Sequence, residues 1–127
     1  MTDPSDPIIP GTDIIDSRDI IARIDRLESD EAVLDAAEKY ELEKLRDLAN
    51  QGEAYDDFQY GEKLILDSYF AQHTIELIDE VYGREINTHR ADWPFRHLKL
   101  DIAAAAKELQ DDYMAVDFDG TTYWMRA

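Results

Sequence analysis

Thirty carboxylates stand against thirteen Lys and Arg in this 127-residue chain, a formal net charge of −17. That imbalance constrains the fold before any motif is read. Burying an unpaired ion costs several kcal/mol, so the acids must line a solvated surface. The apolar 44% of the chain must then build the core from the positions between them. The length predicts one domain, and the apolar share excludes wholesale disorder. A charge of −17 also exceeds the magnitude of about 2–8 that keeps a small domain soluble, and it imposes self-repulsion.

The same balance excludes whole classes of function. A nucleic-acid binder shows the opposite charge, and an anionic membrane surface repels this chain. No cysteine is present, so disulfides, thiolate metal sites and cysteine catalysis are excluded together. There is no apolar run of 18 residues, and MTDPSDP lacks a basic n-region. A cytoplasmic protein is therefore expected.

Residues 1–15, rich in proline, read as a flexible segment leading into a single α+β domain over 16–127. Within it, 16–52 forms an acidic helical part, and 53–127 combines a helix with a small β-α-β-β module. Asp16-Ser17 is a plausible N-cap. Ile20, Ile21, Ile24 and Leu27 form a helical stripe that resumes with Leu34, Leu42, Leu45 and Leu48. Ser29-Asp30-Glu31 either caps a second helix or lies inside one long one, and Gly52 is a candidate C′ residue. The Ile20, Ile24, Leu27 and Leu34 stripe also suggests a dimer seam, hence a homodimer.

The apolar positions from Glu62 to Tyr82 cover more than one face, which predicts a central helix ended by Gly83. Phe95–Leu100 is expected to be a short strand, followed by a helix capped by Asp101. The clearest local signal is Asp119-Gly120, a two-residue turn between alternating segments. It sets residue 118 against 121, 116 against 123 and 114 against 125. Met114, Val116, Phe118, Tyr123 and Met125 then share one face.

Catalytic and metal chemistry find little support. His73, His89 and His97 fall in different elements without ligand spacing, and no nucleotide or nucleophile motif occurs. Neither enzymatic activity, a metal nor a cofactor is expected. The aromatics, among them Tyr55, Tyr60, Trp93 and Phe95, are expected in the core rather than stacked on bases. No direct contact with nucleic acid is expected.

The acids themselves are the informative feature. Residues 1–62 carry net −12, against −5 for 63–127. Glu28, Glu31, Asp35 and Glu38 recur every three or four residues, so one helix would present a carboxylate each ~5–6 Å. Two such ridges approach the phosphate density of duplex DNA, one per ~3.4 Å on each strand. Asp16, Asp19, Asp25, Asp30, Glu41, Glu43 and Asp47 add flanking charge. Together these eleven residues are the candidate partner-binding surface.

YGEKLILDSYF (60–70), WPF (93–95) and DIAAAAKELQDDYMAVDFDGTTYWMR (101–126) resemble a phage- and plasmid-borne family of small acidic proteins. That family is similar to ArdA-type antirestriction proteins. The resemblance implies a DNA mimic that blocks a defence nuclease or methyltransferase, with type I restriction-modification enzymes as the first target. The competing expectation from another class is a small acidic adaptor or dimerisation protein.

Overall fold

A computed structural model describes residues 4–53 and 57–126. Tyr55, with its expected place in the core, lies outside the described residues. The architecture is α+β: a four-stranded antiparallel sheet of order β1-β2-β4-β3, with helices on both faces. The strands are β1 (Ile14–Asp16), β2 (Lys63–Leu66), β3 (Tyr113–Phe118) and β4 (Thr121–Arg126). The helices are α1 (Ser17–Ser29), α2 (Ala36–Gly52), the single turn α3 (Phe58–Gly61), α4 (Phe70–His89) and α5 (Ile102–Gln110).

The hairpin is as its alternation predicts. Phe118 faces Thr121, Val116 faces Tyr123 and Met114 faces Met125. Asp119 and Gly120 take φ of 52° and 83°, the paired positive values that a two-residue turn with the twist of its strands requires. Val116, Phe118, Tyr123 and Met125 are buried against α1 and α2, together with Ile20, Leu27, Leu42, Leu45 and Leu48. Asp101 caps α5 as expected, accepting from the Ala104 amide at 3.1 Å.

Several expectations are corrected. The segment 17–50 is two helices, separated by a 3-10 turn at Glu31–Val33. The second cap is Asp35 rather than Ser29-Asp30-Glu31: Asp35 accepts from the Glu38 amide at 2.8 Å, and Glu38 reciprocates in a capping box. Leu34, extended and 8% exposed, anchors the break in the core. Of the stripe expected at a dimer seam, Ile20, Leu27 and Leu34 are buried within the protomer, and Ile24 is partly buried against the same core. Gly52 is no left-handed C′ residue. It is the last residue of α2, and a Cβ there would collide with the Phe58 ring.

The expected lead-in is also structural up to its boundary. Ile8 and Ile15 are core residues, and residues 14–16 form strand β1. The Tyr123 hydroxyl donates to the Thr12 carbonyl at 2.6 Å and accepts from the Gly11 amide at 3.1 Å.

The helix expected from Glu62 to Tyr82 is replaced by β2 and then α4. β2 is buried on both faces, with Leu64 toward α1 and α2 and Ile65 toward Phe70 and Ala106. Such a strand shows a continuous apolar run instead of alternation, which is why it blended into the helix after it. α4 is accordingly peripheral, and it continues through Gly83 to His89. Phe95–Leu100 is no strand: a 3-10 turn covers Phe95–His97, and irregular chain follows. Tyr60, Trp93 and Phe95 are exposed, not core.

Candidate functional site

The acidic surface is carried by α1 and α2, which pack together on one face of the sheet. Its eleven acids divide by what each one touches. Asp16 caps α1, accepting from the Arg18 amide at 2.9 Å. The Arg18 guanidinium, 2.8 Å away, holds the Asp16 carboxyl below its ordinary range. Asp35 and Glu38 form the capping box of α2.

Glu41 is the largest departure from expectation. It binds Arg23 through two contacts of 2.8 Å and accepts the Ile8 amide at 3.2 Å. The two side chains are only 13% and 6% exposed, respectively. This is an interior pair that joins α1, α2 and the N-terminal segment. Hydrogen bonding to Glu41 raises the Arg23 pKa, so the guanidinium stays charged despite its burial.

Glu28 and Glu31 share one cation, Arg46, at 3.1 and 3.3 Å. Asp30 meets Arg26 at 3.3 Å. These pairs are solvated and screened, so each adds little stability. Asp19, Asp25 and Glu43 make no ion pair or side-chain hydrogen bond among the described residues. Asp47 accepts only a long contact from Gln51, at 3.4 Å.

The regular ridge is therefore interrupted. Glu28 lies in the last turn of α1, Glu31 opens the 3-10 turn, Asp35 caps α2 and Glu38 stands in its first turn. The α1–α2 pair instead offers two open grooves. One, about 630 Å³, is rimmed by Glu31, Glu43 and Asp47 and equally by Lys39, Lys44 and Arg46, over Leu34 and Leu42. The other, about 500 Å³, is lined by Ile21, Ile24, Asp25, Ala49, Glu53 and Phe58. Both have apolar floors, which position alone did not reveal.

No group of three or more His, Asp or Glu converges on a metal position among the described residues. Among the described residues, no helix is long and apolar enough to cross a membrane. Compared with protein-family models, curated proteins and solved structures, the chain matches none.

Proposed function

We propose that this protein is a DNA mimic that occupies the DNA-binding groove of a host defence nuclease or methyltransferase, as antirestriction inhibitors do. It would act in the cytoplasm and by occupation rather than chemistry. A type I restriction-modification enzyme is the first candidate target. The observation that carries the reading is the exposed carboxylate set of α1, α2 and their connection: Asp25, Glu28, Glu31, Asp35, Glu43 and Asp47. A cationic groove built for phosphates meets that density of charge at little desolvation cost, and association is steered and salt-sensitive.

The test is competition with duplex DNA for the purified restriction enzyme. The informative variant is Asp25→Lys/Glu43→Lys/Asp47→Lys. Reversing Glu28, Glu31, Asp35 and Glu38 would instead remove both the capping box and the Arg46 pairs, and confuse folding with binding. The triple variant is expected to melt as the parent does and to lose competition. Undiminished competition by a folded triple variant refutes the mimicry.

A second reading, an adaptor or dimerisation protein, is favoured by one observation. Trp93, 75% exposed, and Leu98, 66% exposed, stand on the surface of the other half of the molecule. An adaptor binds through such apolar groups, so its complexes tolerate salt and survive the triple acid reversal.

A further inference from the structure

Six large apolar side chains are 48% to 75% exposed along one stretch: Val81 and Tyr82 on α4, then Trp93, Phe95, Leu98 and Leu100 before α5. The connection is folded back on the helix end. The His89 and Phe95 rings lie 5.3 Å apart, and the Arg96 amide donates to the Asp92 carbonyl at 2.8 Å. Single exposed apolar residues need no explanation, whereas a concentration of this kind marks an interaction surface. The stretch also carries Arg84, Arg90, Arg96 and Lys99 against only Glu85 and Asp92. None of those four cations makes an ion pair among the described residues.

We infer that this surface is a two-fold interface with a second copy of the chain. The argument is charge. In a molecule of net −17, residues 81–100 are locally net +2, so two copies meeting there bring together more cations than carboxylates. Glu85 and Asp92 of each copy supply the counter-charges for arginines of the other, as an isologous interface requires. The acidic helices α1 and α2 pack on the sheet face opposite α4 and α5, so the two acidic halves point apart. A free nucleic-acid strand suits this patch less well, because the long-range field of the whole molecule repels it. Six side chains of this size and the surrounding cations can contribute much of the ~800 Å² per partner of a standard interface. The interface is separate from the stripe on α1, whose Ile20 and Leu27 are buried in the core.

The test is light scattering on the full chain at about 100 µM, in about 0.05 and 0.5 M salt. A dimer is expected, tighter at the higher salt, with Trp93 fluorescence moving to the blue as concentration rises. Leu98→Asp/Leu100→Asp changes only exposed positions; it should melt as the parent does and remain a monomer without the fluorescence shift. A parent that stays monomeric, or a variant that stays dimeric, overturns the inference. Capture of the variant by tagged parent overturns the two-fold arrangement, because a head-to-tail contact would retain one intact pairing. A monomeric parent that binds a single-stranded oligonucleotide assigns the patch to nucleic acid instead.

Discussion

The side-chain amide of Gln51 substitutes for a neighbouring strand at the backbone of Asp117. Its Nε2 donates to the Asp117 carbonyl at 2.8 Å, and its Oε1 accepts the Asp117 amide at 2.7 Å. β3 is an outer strand, and unpaired edge groups invite another chain to add on. Through Gln51, helix α2 covers that edge. Gln51→Ala should cost about 1–2 kcal/mol for the two bonds. It should also speed hydrogen exchange at the Asp117 amide. Denaturant titration and exchange measurements check both, and unchanged Asp117 protection would contradict the pairing.

Glu41→Gln leaves the buried Arg23 guanidinium without its directly paired carboxylate. Removing one partner of an interior ion pair destabilises by about 3–5 kcal/mol. A neutral amide that still bonds Arg23 should place the loss near the lower end. The exposed Glu43→Gln serves as the comparison and should stay within about 0.5 kcal/mol of the parent. Equal losses in the two variants would remove the distinction drawn between interior and surface acids.

Gly120→Val introduces a β-branched residue at φ of 83°. No atom lies within 4 Å of the added Cβ, so the cost is backbone strain alone, about 1–2 kcal/mol. Gly52→Ala is the opposite case. There the backbone is unstrained, but the methyl collides with the Phe58 ring. Thermal melts should show both losses. A structure of the second variant should show Phe58 displaced.

His73 supplies the pH dependence. Burial pushes its pKa below the ordinary value, with Lys63 acting in the same direction and Glu76 opposing it. Its Nε2 is buried without a hydrogen-bond partner. The unfolded chain therefore binds the proton more readily than the fold does. Stability should fall as pH drops from about 6.5 toward the depressed folded pKa. His73→Leu should flatten the decline in that window, read as melting temperature against pH. An identical decline in the variant would exclude His73 as its source.

Local chemistry made some elements legible in the amino-acid order. The 119–120 turn determined the register of the hairpin, Asp101 determined where α5 begins, and Asp16 determined where α1 begins. Each depends on residues within a few positions of one another. Composition likewise determined that an acidic surface must exist. Strand β2 lay beyond that reach, because Ile65 pairs with Ile14 on one side and Trp124 on the other. Its apolar run acquires strand character only between partners some fifty and sixty residues away. The fates of the acids were decided in the same way. Asp25, Glu41 and Glu43 carry the same charge, yet only the packing of α1 on α2 places Arg23 against Glu41 and leaves Asp25 and Glu43 in water. Sequence spacing counts carboxylates; tertiary structure decides which of them are desolvated and paired, and which remain free to face a partner.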